Sequence, residues 1–497
     1  MIGSCLMDAI HKISNTVIRD NIEGNRLIQA EDSIRAVINS EEFQRLRNIR
    51  QMGLSSFVFP TAEHSRFTHS LGVYATAQLF FEHLARRASS LDLQLPGFVF
   101  NETTKLEFCV AGLCHDIGHS AFSHVLETVL LPDGMKNHED CTVALLRGDF
   151  DIARKIDAIH ADRDAVINLL IKAHPNKALC DLISSTFDVD RCDYVLRDSH
   201  MTGVEYGNYD LKWLVHTMTV ETNALGQPVL LLDGPRGLDA LRQFLDARHH
   251  LHRQVYLHPT IRGAQILLKG IFSRIQDLGK NDDTAALSPK CLHPIMHGKK
   301  PTFGEFLATT DVEVTYMIRN FAASHSDQTL RLLCQLFLRR SFPKCVLDSA
   351  KFRVPFQEKY NIAEYDAGKE TAEGSEGVPT LIELTEALRA FIGNQYIRKS
   401  MPPEMARYLV SFDPVRFNSD GPSDLLFSFR GRLGPENVPF ELINPECVGF
   451  DLSALLESFD ISRVFVPREF VSEAREYLDL HYGKEEHMMN VESRSEG

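Results

Sequence analysis

Apolar positions recur at helical spacing along most of the chain. The run from Leu106 through Phe108, Val110 and Leu113 reads as a buried helix, and it ends on Cys114-His115-Asp116-Ile117-Gly118-His119. Ser40, followed by Glu41 and Glu42 with arginines further on, predicts the N-cap of a helix reaching Met52, which Gly53 ends. A helix with Thr68 to Ser70 near its start continues through Phe80 and Leu84, and another covers Ile156 to Ala173. Asp190, Tyr194 and Asp198 recur every four residues, which makes them one stripe on a helix. Val220, Val229 and Leu231 around Asn223 to Gly226 predict a β-hairpin over 217–233. Leu238 to Tyr256 reads as a helix on which Arg248, His252 and Tyr256 share one face, with Leu241, Phe244 and Leu251 on or near it. Asn281 to Pro301 reads as a long loop. Helices then resume to about Phe337, and short strands such as Leu425–Phe429 and Arg463–Val466 mix with helices beyond.

The expected fold is therefore mainly α. Residues 15–345 form the helical core, and residues 346–483 form a smaller α+β region with a mobile segment at 366–378. Residues 484–497 are expected to be a disordered tail.

Composition narrows the function. A net charge of −14 argues against a protein that coats nucleic acid, because phosphate neutralisation dominates such binding. It leaves room for a small polyanion in a locally basic pocket. No window approaches 18 uninterrupted apolar residues, so no membrane span is expected, and the N-terminus shows no signal-peptide pattern. Ten cysteines without a CxxC pair read as reduced thiols of a cytoplasmic protein.

The candidate chemistry lies in the histidines and acids. A buried helix that ends in His115-Asp116 is costly unless those groups are paired or hold a metal. Around a helix the two lie about 100° apart, within reach of one ion, and His119 stands one turn later beside His115. A capped core helix would show the same pair. His64 and His69 precede an apolar helix, where packing or capping is the commoner role. His115, His119, His124 and His138, with Asp116 and Glu127, crowd one short span. The Asp190 stripe also fits a salt-bridged helix with Arg191 and Arg197 as partners. Arg242, Arg248, His249, His250, His252 and Arg253 form the densest cationic patch, suited to phosphate oxygens or to a plain solvated face. Together, His69, His115, Asp116 and Asp190 could hold one divalent ion, and their donor set suits manganese, iron, nickel or zinc.

The ordered set His69, His115-Asp116 and Asp190 resembles the HD phosphohydrolase superfamily. The surroundings narrow the likeness: Phe43-Gln44-Arg45-Leu46-Arg47, Phe59-Pro60, His64-Ser65-Arg66-Phe67-Thr68-His69-Ser70-Leu71-Gly72-Val73, Ala111-Gly112-Leu113-Cys114-His115-Asp116-Ile117-Gly118-His119, Phe122-Ser123-His124, Asp188-Val189-Asp190 and Leu251-His252-Arg253. These are similar to deoxynucleoside triphosphate triphosphohydrolases of the sterile-alpha-motif/HD type and their bacterial relatives, over roughly residues 15–345 and without a sterile-alpha-motif domain.

The resemblance implies metal-dependent hydrolysis of dNTPs to deoxynucleoside and inorganic triphosphate, with magnesium as a possible counter-ion of the nucleotide. It assigns His69, His115, Asp116 and Asp190 to the metal. His124 becomes the acid to the leaving 5′-oxygen, beside Glu127 where the family more often has Asp, and His119 and His138 stabilise the phosphates. Arg66, Arg191, Arg248 and Tyr256, with His252 between the last two, grip triphosphate and sugar, while Gln51, Tyr194 and Asp198 face the sugar.

Nucleotide-activated members carry an acid shortly before the Phe-Gln-Arg-Leu-Arg motif, and Asn39 occupies that place. Arg19-Asp20-Asn21-Ile22-Glu23-Gly24 retains only part of their Asn-Asp-Pro-Ile-His-Gly segment. Gln44 and Arg47 are kept, and Arg340 with Lys344 matches a basic pair near the activator. Guanine-specific activation is thus in question, while a nucleotide activator and an allosteric homo-oligomer, dimer or tetramer, stay among the expected partners. The competing reading is an HD nuclease or phosphatase acting on nucleic acid or another phosphoester, which needs an open basic groove.

Overall fold

The structure, a computed structural model, describes residues 16–22, 26–90, 100–185, 187–222, 228–279, 282–349, 359–360, 362, 379–417, 426–431, 434–439 and 459–484. The expected mobile segment at 366–378 and all of the expected tail but Lys484 lie outside them. Packing divides the chain into two compact units. The first comprises residues 1–255, 306–311 and 419–456, and the second the remainder.

The first unit opens with a hairpin, β1 (Thr16–Arg19) and β2 (Leu27–Ala30), paired antiparallel. Helices α1 (Asp32–Ile38), α2 (Glu41–Arg45), α3 (Arg66–Ser90) and α4 (Glu102–Cys114) follow. Next come α5 (Glu127–Leu130), α6 (His138–Arg147), α7 (Asp151–Ala158), α8 (Arg163–Leu170), α9 (Lys177–Ile183), α10 (Val189–Thr202) and α11 (Leu211–His216). Strands β3 (Met218–Thr222) and β4 (Pro228–Asp233) form the hairpin expected over 217–233, and α12 (Gly234–Leu251) follows.

In the second unit are α13 (Pro259–Leu278) and the short helices Asp282–Ala286 and His293–Met296. The segment expected as a long loop over 281–301 is thus partly helical, nucleated by Pro294 in a first turn. Helix Gln328–Leu338 and an antiparallel sheet of Lys344–Asp348, Phe459–Val466 and Ser411–Phe417 complete the parts used below. The strand expected near Leu425–Phe429 is present as Leu426–Gly431. It runs parallel to β4, so it joins the sheet of the first unit.

Three local expectations change. The helix predicted from Ser40 to Met52 is α-helical only to Arg45 and tightens into a 3₁₀ turn at Leu46–Asn48, because the Arg50 and Gln51 N–H groups bond Asp311 and the His64 carbonyl instead. The helix over 156–173 is two, α7 and α8, with Asp162 capping the second. The Leu238–Tyr256 helix is α-helical to Leu251 and widens into a π turn at His252–Tyr256, with i→i+5 bonding.

α3 is the axis of the first unit, packing on α4 and α10. Leu71, Val73, Tyr74, Ala77, Phe80 and Leu84 from α3 meet Phe108, Val110, Ala111 and Leu113 from α4, and Val189, Cys192 and Val195 from α10, all buried. Phe187 sits against Phe80 at 5.7 Å and Phe244 at 5.5 Å between ring centroids, extending this core to α12. Gly72 lets α3 approach α10: a Cβ there would stand 2.0 Å from Asp193 Oδ1 and 2.2 Å from Arg197 Nη2. Among the described residues no helix is long and apolar enough to cross a membrane.

Candidate metal centre and imidazole cluster

Three helix ends meet at the site. α4 is capped by Asn101, whose side chain accepts the Thr104 N–H, and ends at Cys114. Asp188 caps α10 by accepting the Arg191 N–H at 2.7 Å, which places Asp190 in the first turn, where the helix dipole favours a carboxylate. His69 stands in the first turn of α3, fully buried.

His115 and Asp116 are not on a continuing helix, as spacing alone suggested. The chain turns at once, with Ile117 N–H bonding the Cys114 carbonyl and His119 N–H the Asp116 carbonyl. Asp116 and His119 therefore face each other, Nε2 to Oδ1 at 3.2 Å. Gly118 permits the turn to press on α6, since a Cβ would lie 2.2 Å from the His138 carbonyl oxygen.

His69, His115 and Asp116 offer ligand atoms all within 4.8 Å of one another. Asp190 Oδ1 lies 2.9 Å from His69 Nε2 and 3.5 Å from His115 Nε2. Both of those Nε2 atoms are buried and make no hydrogen bond. Buried imidazole nitrogens left without a hydrogen bond, beside two carboxylates, fit the donor set of a divalent ion. The remaining ring nitrogens are fixed from behind: His115 Nδ1 bonds the Gly112 carbonyl at 2.8 Å, and His69 Nδ1 bonds Asp193 at 3.0 Å.

Charge follows from these contacts. Burial works against charging His115, but Asp116 and Asp190 outweigh it and raise its pKa well above the usual value. Burial likewise penalises the Asp116 carboxylate, yet His115, Arg66 and His119 hold its pKa well below the ordinary range. His119 goes the other way: burial and the Arg66 charge push its pKa far down, so it stays a neutral imidazole.

A second group lies against the first. His119 and His138 stack at 3.8 Å between centroids, and His124 stands 5.1 and 5.2 Å from them. Their ligand atoms also lie within 4.8 Å of one another. Glu127 braces two of them, with Oε2 3.1 Å from His124 Nδ1 and Oε1 2.8 Å from His138 Nδ1. Those bonds and the His138 charge overcome burial and lower the Glu127 pKa. His124 is exposed, whereas His119 is buried. It follows Phe122 and Ser123, both in left-handed backbone at φ 54°, a conformation costing each side chain about 1–3 kcal/mol.

Arg66 is buried, with its guanidinium paired to Asp116 and donating to Ser123 Oγ, so it ties the metal-ligand candidates to the His124 loop. Asp198 is held by His64, Nε2 to Oδ1 at 2.8 Å. Gln51 donates its backbone N–H to the His64 carbonyl, and its buried Oε1 makes no hydrogen bond. Arg191, Tyr194, Arg248 and His252 gather beside the Asp190 stripe. The arginine charges add to burial in pushing His252 down to about 3, and they partly offset burial at Tyr194. Tyr256 is the first residue of the second unit.

Of the expected activator residues, Arg19 and Asn39 are exposed. Gln44 accepts from Arg47 at 2.7 Å, and Arg47 lies over the Phe67 ring at 3.6 Å. Arg340 and Lys344 belong to the second unit.

The sequence reading missed the support behind His69. Asp193 accepts from Arg197 and Arg26, and both arginines also bond Asp20 on the hairpin turn. The four-residue spacing of Asp193 and Arg197 was the available signal, whereas Asp20 and Arg26 carried none. Asp311, which binds the Phe122 N–H across 189 residues of sequence, was equally silent.

The HD domain family profile matches residues 66–198. The uncharacterized protein YwfO of Bacillus subtilis is 30% identical over 306 residues, covering 61% of this chain and 66% of that protein. The deoxynucleoside triphosphate triphosphohydrolase SAMHD1 homolog of Dictyostelium discoideum is 30% identical over 280 residues, 54% of this chain and 51% of that protein. The chain thus spans between half and two thirds of the length of these relatives. A crystal structure of a phosphohydrolase from Bacteroides thetaiotaomicron superposes with a TM-score of 0.68 at 23% identity, covering 92% of this chain and 100% of that one, which establishes the shared fold. With its His69, His115-Asp116 and Asp190 gathered at three helix ends inside the matched segment, residues 66–198 of the chain form an HD domain.

Proposed function

We propose that the protein hydrolyses dNTPs at the α-phosphorus, releasing deoxynucleoside and inorganic triphosphate. The observation that carries this reading is the direct abutment of two groups: the His69/His115/Asp116/Asp190 donors, and the imidazoles of His119, His124 and His138, the last two braced by Glu127. The triphosphohydrolase relative supports the substrate class, and the extent of the catalytic core, residues 15–345, is part of the same proposal.

His69, His115, Asp116 and Asp190 would hold one divalent ion, which when bound supplies a Lewis acid and an activated water. Neutral His119 and the His138 ring stacked on it donate or accept at phosphate oxygens. His124, exposed and oriented by Glu127, delivers a proton to the 5′-oxygen as the P–O5′ bond breaks and water's oxygen joins phosphorus. Arg191, Arg248 and His252 line the triphosphate, and Tyr194, Asp198 and Gln51 face the sugar. Arg66 acts from behind, through Asp116 and Ser123. Nucleotide activation through Gln44 and Arg47, and assembly into a homo-oligomer, belong to the same proposal.

The test is product analysis with manganese-loaded protein and each dNTP, singly and mixed, beside single-stranded DNA. Deoxynucleoside plus triphosphate, absent in a His115→Ala/Asp116→Ala variant, is the expected result. Turnover only in mixtures would reveal an activator. Shortened DNA with untouched dNTPs, or full activity in the double variant, would overturn the proposal.

A further inference from the structure

The segment Phe306–Asp311 packs within the first unit although its sequence neighbours on both sides belong to the second. Arg45 fastens it. One guanidinium nitrogen donates to the His119 carbonyl at 2.8 Å, the other to the Phe306 and Thr309 carbonyls at 3.4 and 3.1 Å, and the guanidinium lies over the Phe306 ring at 4.6 Å. At the end of this strap is Asp311, buried at 6% exposure. Its Oδ1 accepts the Phe122 N–H at 2.7 Å and its Oδ2 accepts the Arg50 N–H at 3.0 Å.

Those two N–H groups belong to separate loops, one leading to Gln51 and one to His124. Phe122 and Ser123 occupy left-handed backbone in succession, which non-glycine side chains keep only when the surroundings over-determine it. The loop is held by Arg45 at the His119 carbonyl, Asp311 at the Phe122 N–H and Arg66 at Ser123 Oγ, and the Ser123 hydroxyl also donates to the Arg50 carbonyl at 3.4 Å. The carboxylate accepts from both loops at once, with one oxygen for each.

We propose that Asp311 is a positioning residue for His124: by gripping the Phe122 and Arg50 N–H groups together it keeps the left-handed Phe122-Ser123 pair folded and His124 aimed at its proton acceptor. The proposal rests on the proposed role of His124 as the acid. A polar clamp on a strained loop holds direction, so loosening it lowers turnover with little change in nucleotide affinity, and a misplacement of about 1 Å suffices to cost roughly 100-fold.

The test uses full-length, manganese-loaded Asp311→Ala, and Asp311→Asn, which keeps the shape and one acceptor. Melting temperature and metal content serve as controls on folding. Asp311→Ala is expected to lower kcat about 100-fold at nearly constant KM, Asp311→Asn less, and the Asp311→Ala effect is expected to vanish in a His124→Gln background. The His124 Cε1–Hε1 resonance, assigned by its loss in His124→Gln, is expected to shift in both Asp311 variants. Unchanged kcat, or an equal loss in the His124→Gln background, would overturn the proposal. Should wild type not hydrolyse dNTPs, the functional reading fails separately, and the His124 resonance decides the clamp: a shift supports it, an unmoved signal ends it.

Discussion

Removing Asp193 is the sharpest probe of how this fold holds its metal-ligand candidates. The carboxylate is 1% exposed. Oδ2 accepts from Arg197 Nε at 2.7 Å and lies 3.0 Å from His69 Nδ1. Oδ1 accepts from Arg26 at 2.8 Å and Arg197 at 3.1 Å. Asp193→Ala leaves the buried Arg197 with Asp20 alone, and stripping one partner from a buried pair typically costs about 3–5 kcal/mol. His69 also loses the acceptor that fixes its tautomer and ring orientation, a change that typically lowers metal affinity about 10–100-fold. Asp193→Asn keeps the shape but not the charge and should fall between. Urea unfolding of metal-free protein reads the first effect, and calorimetric manganese titration reads the second. An apo stability loss under about 1 kcal/mol would refute the network's energetic role. A large loss with unchanged manganese affinity would refute the orientation argument and leave Asp193 a structural residue.

Other outcomes follow from the same geometry. Gly72→Ala drives a Cβ into Asp193 and Arg197, and Gly118→Ala drives one into the His138 carbonyl and the Thr142 N–H; each should destabilise by at least about 1–3 kcal/mol by thermal melting, and an unchanged melting temperature would contradict the packing. His252, pushed down to about 3 by burial, Arg248 and Arg191, stays neutral in the fold while the unfolded chain takes up a proton below about 6.5. Stability should therefore fall as pH drops from 6.5 towards 3, by about 1.4 kcal/mol per unit from this group, and His252→Gln should flatten the slope measured between pH 6.5 and 5. Manganese at about 100 times its Kd should stabilise the chelator-treated protein by about 2.7 kcal/mol, and His115→Ala/Asp116→Ala should abolish that gain.

The sequence by itself determined the helical class and the candidate chemistry. Apolar spacing located α3 and α4, because a helix that buries one face must repeat that face every three to four residues, and the four-residue repeat of Asp190, Tyr194 and Asp198 located α10. Histidine and aspartate at the end of a buried helix are costly without a partner, so His115 and Asp116 stood out before any contact was known, and the resemblance added His69 and Asp190 to them. Local spacing also found the β3–β4 hairpin, and the resemblance set Glu127 beside His124, where the structure has it. What it could not reach was anything set by groups far apart in the chain. The turn at His115–Gly118, the π turn at His252–Tyr256 and the early end of the Ser40 helix all depart from regular spacing, and two of them follow bonds made to other segments or close packing against one. Only tertiary packing brings Asp20 to Arg197, and Asp311 to Phe122, across 177 and 189 residues. Periodicity records which face of an element is buried, while a buried hydrogen bond between distant segments leaves no period, so the candidate ligands were legible and the groups that hold them were not.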